Sequence, residues 1–444
     1  MRLTILGGGG FRVPLVHRAL LDDPSTAVSE LTLYDTDAAR LGVIAAILDR
    51  QSEGRTAPVR VRITGDLDEA LAGADFVFSA IRVGGTAGRV RDERIPLAES
   101  VLGQETVGAG GVLYGLRTIP EALRIAERVA ALAPGAWLIN FTNPAGMVTE
   151  AMARILGERV IGICDSPVGL VRRAARAAGA DPAARLSYDY VGLNHLGWLR
   201  SLRADGKELL PGLLADPAAL GTFEEGRLFG ATWLRALGAL PNEYLHYYYF
   251  RRETLRSALD ADQTRGEFLD HQQGDFFTEA AAAPHQAYDL WERTRRQREE
   301  TYMAEGRAAS GGWQRDSHDL EGGGYDQVAL ALMHAIAGDR RTQLILNVPN
   351  GTTIPQMAPD AIIETVCEVD ATGAHPLPCA PLNDHMLGLL LQVKSVERAT
   401  LTAATGQDPT AALRALALHP LVDSPAVAAR ILERAGVKGG AAKA

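Results

Sequence analysis

Near its start the chain reads Ile5-Leu6-Gly7-Gly8-Gly9-Gly10-Phe11-Arg12, a glycine-rich turn between an apolar strand pattern and a helical pattern. Glycines in such a turn let backbone and ligand approach closely, and the N-terminus of the following helix offers free N–H groups and a positive dipole to a pyrophosphate. The fingerprint is incomplete, because Arg12 stands where a third glycine is usual. The order of strand, loop and helix nevertheless predicts a dinucleotide site, with an ordinary tight turn as the alternative.

The next strand pattern, residues 30–34, is followed directly by Asp35. A carboxylate at this place accepts hydrogen bonds from ribose hydroxyls and repels a 2′-phosphate, which favours NAD over NADP. The alternative for Asp35 is a turn or capping residue. The residues that we expect to contact the cofactor are Gly7, Gly9, Gly10, Phe11, Arg12, Asp35 and Arg40.

Strand and helix patterns keep alternating through the first part of the chain. Apolar runs at residues 76–78, 137–139 and 160–163 are typical of buried strands, and a helical pattern spans residues 119–132. This alternation implies parallel strands joined by crossover helices. The sequence therefore predicts an α/β fold with a doubly wound, Rossmann-like parallel sheet.

The second half of the chain is less regular and predicts a second, mixed α+β domain for substrate and metal. We expect an NAD-binding domain over residues 1–165 and a catalytic, metal-binding and oligomerisation domain over residues 166–437. The low-complexity tail, residues 438–444, is expected to be disordered.

Composition narrows the class of protein. The 444 residues carry a net charge of −9 without a long basic run, which argues against nucleic acid as the partner. No apolar run approaches the roughly 20 residues of a membrane span, and the first apolar stretch is too short for a signal peptide. Three cysteines fit a reducing compartment better than a disulfide framework. We therefore expect a cytoplasmic protein with no membrane partner.

Two separate residues suggest a metal site. Cys164 follows the apolar run at residues 160–163, and His195 lies in Gly192-Leu193-Asn194-His195. Each alone is more simply read as core packing, and the short ligand spacings of structural zinc are absent. As a pair, however, they would leave coordination positions open for substrate, as a catalytic metal requires.

Another polar segment, Asn140-Phe141-Thr142-Asn143-Pro144, follows a buried strand at the edge where doubly wound folds bind ligands. An amide there can bond ribose or substrate hydroxyls. Taken alone, Asn143-Pro144 is more often a turn.

Together these motifs resemble glycoside hydrolase family 4, the NAD- and divalent-metal-dependent glycosidases, and especially its 6-phospho-glucosidases. The resemblance covers most of the chain, from the glycine loop to His419-Pro420-Leu421-Val422. Its most specific motifs are Arg82-Val83-Gly84-Gly85, Gly103-Gln104-Glu105-Thr106-Val107-Gly108, Thr142-Asn143-Pro144-Ala145-Gly146 and Gly192-Leu193-Asn194-His195.

The resemblance implies a role for each candidate residue. Cys164 and His195 would hold the metal, usually Mn²⁺, and Asn143 and Asn194 would lie near the sugar hydroxyls. Tyr244, in the tyrosine-rich run at residues 241–249, would be the catalytic base, with its neighbouring tyrosines as alternatives. A homodimer or homotetramer is implied as well.

The expected substrate carries a 6-phosphate, which needs cationic donors. Arginine suits phosphate through its planar fork. Arg89 matches the family's phosphate contact, and Arg265 is a second candidate. For both, a surface ion pair is the alternative. Without a phosphate site, the substrate would be a plain glycoside or a uronide.

The family departs from glycosidases that use two carboxylates. The implied reaction begins with transfer of the C3 hydride to NAD⁺, which makes the C2 proton acidic enough for a tyrosine to remove. The leaving group at C1 then departs by elimination, water adds, and the hydride returns.

Anomer specificity depends on the residue after the metal cysteine, which here gives Cys164-Asp165-Ser166-Pro167. Most 6-phospho-β-glucosidases of the family have Cys-Asn-x-Pro, and the α enzymes have Cys-Asp-Met-Pro. We expect a β enzyme from the surrounding segments. In the α alternative Asp165 would be the acid that protonates the leaving group. Otherwise Asp165 would be a carboxylate that orients a ligand.

Two alternatives belong to other classes of protein. They are a 2-hydroxy-acid dehydrogenase and a catalytically silent NAD sensor.

Overall fold

The computed structural model describes residues 1–23, 25, 27–55, 59–315 and 324–437. The tail predicted to be disordered, residues 438–444, lies outside the described residues. No helix in the described part is long and apolar enough to cross a membrane.

Strands of the described part form one mixed sheet. Their bounds are β1 (Arg2–Leu6), β2 (Glu30–Tyr34), β3 (Arg60–Thr64), β4 (Phe76–Ser79), β5 (Trp137–Asn140), β6 (Val160–Gly162), β7 (Leu186–Leu193), β8 (Leu196–Ala204), β9 (Lys207–Glu208), β10 (Leu240–Pro241), β11 (Thr342–Pro349), β12 (Ile362–Asp370) and β13 (Gly373–Pro376).

Helices flank this sheet. Their bounds are α1 (Val13–Asp22), α2 (Ala38–Ser52), α3 (Leu67–Leu71), α4 (Gly85–Leu97), α5 (Ala109–Leu132), α6 (Ala145–Leu156), α7 (Ser166–Ala177), α8 (Leu210–Ala215), α9 (Pro217–Leu220), α10 (Glu224–Phe229), α11 (Ala231–Leu237), α12 (His246–Tyr249), α13 (Arg251–Asp260), α14 (Arg265–Ala282), α15 (Ala287–Glu300), α16 (Ala304–Ala309), α17 (Tyr325–Gly338), α18 (Asp384–Ala404), α19 (Ala411–Ala417) and α20 (Pro425–Ala435), with short 3₁₀ turns at Gly157–Arg159, Glu243–Leu245 and Pro284–Gln286.

The parallel part of the sheet has the strand order β3-β2-β1-β4-β5-β6, which confirms the predicted doubly wound, Rossmann-like fold. Strands β1, β2, β4, β5 and β6 are mostly buried because helices cover both faces, whereas β3 at the sheet edge is largely exposed. Ile5 of β1 packs into one apolar cluster and the adjacent Leu6 into another.

One sheet crosses the predicted domain boundary at residue 165. Strand β11 continues the sheet beyond β6, and Asn347 pairs antiparallel with Gly162. Beyond β11 come β12, β7, β8 and β10, all antiparallel to their neighbours. The second half therefore extends the nucleotide-binding sheet and brings its loops beside the ends of β5 and β6.

Helix α5 begins at Ala109, well before the predicted start at residue 119. Gly110 and Gly111 in its first turn discourage a helix in a sequence-based prediction. In the structure a Cβ at Gly111 would overlap the carbonyl oxygen of Thr106. Close approach of the preceding loop therefore explains this glycine.

Candidate functional site

Residues directly after β1, β4, β5 and β6 line a cavity of about 1380 Å³. A typical small-molecule site has roughly 300–1,000 Å³, so this cavity has room for a dinucleotide and a second small ligand. The predicted site residues that line it are Gly7, Gly9, Gly10, Phe11, Arg12, Asp35, Arg40, Arg89, Asn143, Cys164, Asp165, His195, Tyr244 and Arg265.

The glycine loop is shaped for a ligand at the start of α1. Gly7 has φ +85°, and a Cβ there would come within 2.6 Å of the carbonyl oxygen of Ala80. The backbone N–H groups of Phe11 and Arg12 make no hydrogen bond within the described part of the chain. Two free donors at a helix N-terminus fit a pyrophosphate.

Asp35 takes part in the turn and also lines the cavity. One of its carboxylate oxygens accepts a hydrogen bond from Gly9 N–H at 2.9 Å, and the other accepts one from Asp37 N–H at 3.0 Å. Arg40 lies beside it, with its guanidinium 4.5 Å from the ring centre of Phe277. The turn role of Asp35 is therefore present, whereas Asp37 caps α2, and a ribose contact of Asp35 would come in addition.

Cys164 and His195 are both buried at the cavity wall. Burial raises the pKa of the Cys164 thiol well above its ordinary value and lowers the pKa of His195 to about 4. The His195 imidazole is therefore neutral at pH 7, and its buried Nδ1 has no hydrogen-bond partner among the residues that the structure describes. A neutral imidazole with an unused nitrogen fits a metal ligand.

The local backbone explains how His195 reaches the cavity. Asn194 and His195 form the two-residue turn between β7 and β8, and His195 has φ 62°, in the left-handed region. Among the described residues, no group of three or more His, Cys, Asp or Glu side chains is arranged to hold a metal ion. Among those residues, no third side chain of these types joins the two candidate ligands, Cys164 and His195.

Tyr244 adjoins this pair. Its ring stacks on that of His195, with 3.8 Å between the ring centres, and its oxygen accepts a hydrogen bond from the Tyr302 hydroxyl at 2.8 Å. Burial and the nearby Glu243 carboxylate raise the pKa of Tyr244 well above the usual value, while the bond from Tyr302 acts in the opposite direction.

The other tyrosines of this run point to different partners. The Tyr248 hydroxyl donates to the Val107 carbonyl at 2.9 Å, and the Tyr249 oxygen accepts from the Trp198 indole at 2.9 Å. Tyr247 also lines the cavity, but its hydroxyl lies 3.9 Å from the Met303 sulfur. Geometry therefore favours Tyr244 within the run.

Both predicted phosphate arginines line the cavity and both have partners. Arg89 is buried and donates to Glu93 and to Glu105, at 2.7 Å in each case. Arg265 donates to the Thr301 hydroxyl at 2.7 Å and to the Arg298 carbonyl at 3.0 Å. The positive charge of Arg89 is thus balanced by two carboxylates within the protein.

The two predicted amides lie in different places. Asn143 lines the main cavity, whereas Asn194 lines a smaller neighbouring one. The Asn194 amide donates to Glu364 at 3.2 Å, and its buried Oδ1 has no hydrogen-bond partner in the described ranges. The structure therefore does not bring Asn194 together with the other predicted site residues in one cavity.

Asp165 also lines the main cavity, and its carboxylate lies 3.8 Å from the Arg12 guanidinium. Arg12 in turn lies over the Tyr325 ring, 5.2 Å from its centre. The contact links the glycine loop to the residue after the candidate metal cysteine.

The cavity residues that were not predicted as site residues include Glu105, Arg298 and Tyr302. Burial acts to raise the pKa of Glu105, but the charges of Arg82 and Arg89 lower it to about 2. Glu105 belongs to a motif that carried the family resemblance, so the signal was present. Nothing in the sequence marked Tyr302.

Comparison with known families decides the class. A family model described as family 4 glycosyl hydrolase matches residues 2–180, and the model of the family 4 C-terminal domain matches residues 190–422. The chain belongs to glycosyl hydrolase family 4. This family 4 hydrolase is therefore a glycosidase, and the 2-hydroxy-acid dehydrogenase alternative is wrong.

Relatives of this family 4 hydrolase include proteins named as 6-phospho-β-glucosidases and proteins named as 6-phospho-α-glucosidases. It is 34% identical to a probable 6-phospho-β-glucosidase of Bacillus subtilis, over 97% of this chain and 94% of that protein. It is 32% identical to 6-phospho-α-glucosidase 1 of Lacticaseibacillus paracasei, over 97% of this chain and 95% of the relative.

A solved structure shares its fold. The crystal structure of a 6-phospho-α-glucosidase from gut microorganisms, in complex with NAD and Mn²⁺, superposes with a TM-score of 0.79. The two chains are 26% identical, and the match covers 99% of each.

Proposed function

We propose that this family 4 hydrolase cleaves 6-phospho-β-glucosides with the help of NAD⁺ and a divalent metal, with Mn²⁺ as the expected ion. The observation that carries the proposal is one cavity lined by the glycine loop, Cys164, His195 and Tyr244. A dinucleotide site alone would suit any dehydrogenase. A dinucleotide site in the same cavity as a thiol, an imidazole and a tyrosine suits oxidation of the sugar followed by removal of a proton.

The cofactors and the protein have separate roles in this proposal. When bound, NAD⁺ supplies a hydride acceptor and the metal supplies a Lewis acid. Cys164 and His195 would hold the metal, and the Phe11 and Arg12 N–H groups would bind the pyrophosphate. These residues fix both groups in the cavity that receives the sugar.

Tyr244 is the residue that we place at the C2 proton. A buried tyrosine with a raised pKa needs positive charge nearby before it can accept a proton at neutral pH. A cation held by His195 would supply that charge, since the His195 and Tyr244 rings stack. The hydrogen bond from Tyr302 would stabilise the ionised oxygen further.

Asp165 favours a second candidate, a 6-phospho-α-glucosidase. It lines the cavity beside Cys164, where a carboxyl group can protonate a departing oxygen. The two named relatives, one β and one α, are almost equally similar to this chain.

Four nitrophenyl glucosides test the substrate, namely the α and β anomers with and without a 6-phosphate, each assayed with NAD⁺ and Mn²⁺. We expect turnover of the phosphorylated β anomer. Preference for the phosphorylated α anomer would favour the second candidate, and preference for the plain glucosides would contradict the phosphate requirement. We also propose a homodimer or homotetramer, which sedimentation velocity measures.

A further inference from the structure

Arg298 lies on α15, a helix that packs against the glycine loop. Trp291 precedes it by two helical turns and so shares its helix face. The Trp291 indole N–H donates to the Phe11 carbonyl at 2.8 Å, and the Arg298 guanidinium lies 5.9 Å from the centre of the Phe11 ring. This face of α15 thus fixes the loop and directs Arg298 to the cavity wall.

The charges around Arg298 are mostly positive. Arg12, Arg89 and Arg265 all act electrostatically on it, opposed by Glu299. Burial, followed by the effects of Arg12 and Arg265, lowers the pKa of Arg298 to about 9, which leaves the group charged at pH 7.

These arginines differ in their partners. Arg89 has two carboxylates at 2.7 Å, and Arg12 faces Asp165 at 3.8 Å. Within the described part of the chain, the Arg298 guanidinium has no ion pair and no hydrogen bond, and it lies near the Phe11 ring. A partly buried, unbalanced guanidinium among other cations is unfavourable until an anion joins it.

We propose that Arg298 binds a phosphate group in this cavity. The planar fork of a guanidinium can donate two parallel hydrogen bonds to phosphate oxygens. Two sources share this chemistry, the pyrophosphate of the dinucleotide and the 6-phosphate of the sugar. The second source rests on the proposed function, whereas the first rests only on the glycine loop.

The test compares Arg298→Met, which removes the charge at similar length, with Arg298→Lys, which keeps the charge but loses the fork. Arg293→Met is the matched control, because Arg293 lies on the same helix, is exposed and pairs with Glu279. Calorimetry measures the Kd of each protein for NAD⁺, for glucose 6-phosphate and for glucose. Circular dichroism and the melting temperature check that each variant is folded.

A pyrophosphate contact predicts that Arg298→Met raises the Kd for NAD⁺ roughly 10- to 100-fold and leaves that for glucose 6-phosphate unchanged. A sugar-phosphate contact predicts the same rise for glucose 6-phosphate, with no change for glucose or NAD⁺. In either case Arg298→Lys is intermediate and Arg293→Met matches the wild type.

The proposal is overturned if folded Arg298→Met binds both NAD⁺ and glucose 6-phosphate with Kd values within twofold of the wild type. If only Arg298→Lys folds, the same result for that variant overturns it. The proposal is also overturned if the wild type binds neither NAD⁺ nor glucose 6-phosphate. A wild type that binds NAD⁺ but cleaves no 6-phospho-glucoside contradicts the proposed function instead, and the NAD⁺ measurements still decide the role of Arg298.

Discussion

Burial keeps the two candidate metal ligands uncharged. The Cys164 thiol holds its proton more firmly than an exposed thiol, and the His195 imidazole, with its pKa lowered to about 4, is neutral at pH 7. A divalent cation at this pair would therefore have to displace a proton from Cys164, and the described residues offer it no group of three or more His, Cys, Asp or Glu ligands. We expect a metal of modest affinity that a chelator can remove.

The first prediction tests that pair. Cys164→Ser and His195→Ala should lose turnover while the protein remains folded, because each removes one of two ligands. Activity of the wild type should fall with EDTA and return with Mn²⁺. Cys379→Ser is the control, since Cys379 does not line the main cavity. Full activity of Cys164→Ser or His195→Ala in metal-stripped protein would contradict the metal site.

Arg89 shows how a predicted ligand contact can also hold elements together. Glu93, which accepts from Arg89, also accepts from the Gly266 N–H at 2.6 Å, so the pair joins α4 to α14. Removal of one partner from a buried ion pair leaves the other charge uncompensated. The structural role of Arg89 therefore has to be measured apart from any phosphate contact.

The second prediction separates these roles on one helix. Arg89→Met should lower the free energy of unfolding by about 3–5 kcal/mol, because Glu93 and Glu105 lose a buried partner. Arg94→Met, on the same helix, should cost less than about 1 kcal/mol, since its ion pair with Glu267 is partly exposed. Urea unfolding measures both. An Arg89→Met protein as stable as Arg94→Met would show that the buried pair contributes little.

The third prediction concerns the start of α5. Gly111→Ala should destabilise the protein by about 1–3 kcal/mol, because the new Cβ meets the Thr106 backbone. Gly42→Ala in α2 should instead stabilise it by about 0.5–1 kcal/mol, since no atom lies within 4 Å of that Cβ. Thermal and urea unfolding compare the two. Equal effects of the two substitutions would mean that the loop before α5 shifts to accommodate the new Cβ at little cost in free energy.

Local patterns predicted the parallel sheet well. The strand pattern at residues 30–34 predicted the bounds of β2 correctly, because a strand buried on both faces forms a run of apolar residues. Contacts between distant segments were beyond such reasoning. Arg298 lies near the Phe11 ring although most of the chain separates the two residues in sequence. The pairing of Asn347 with Gly162, which extends the sheet, also has no local sequence pattern. Most of the predicted site residues share one cavity because they follow parallel strands or adjoin them.

The last prediction needs the whole molecule, since it joins the nucleotide half, the metal pair and Tyr244 in one reaction. If oxidation at C3 acidifies the C2 proton, turnover in D₂O should leave deuterium at C2 of the released sugar, as seen by NMR. NAD⁺ should be required, yet NADH should not accumulate, because the hydride returns in each cycle. Tyr244→Phe should slow exchange and turnover together, whereas Tyr249→Phe, which lies outside the cavity, should slow neither. Cleavage without C2 exchange, or undiminished cleavage in NAD-free protein, would show that this hydrolase uses another mechanism.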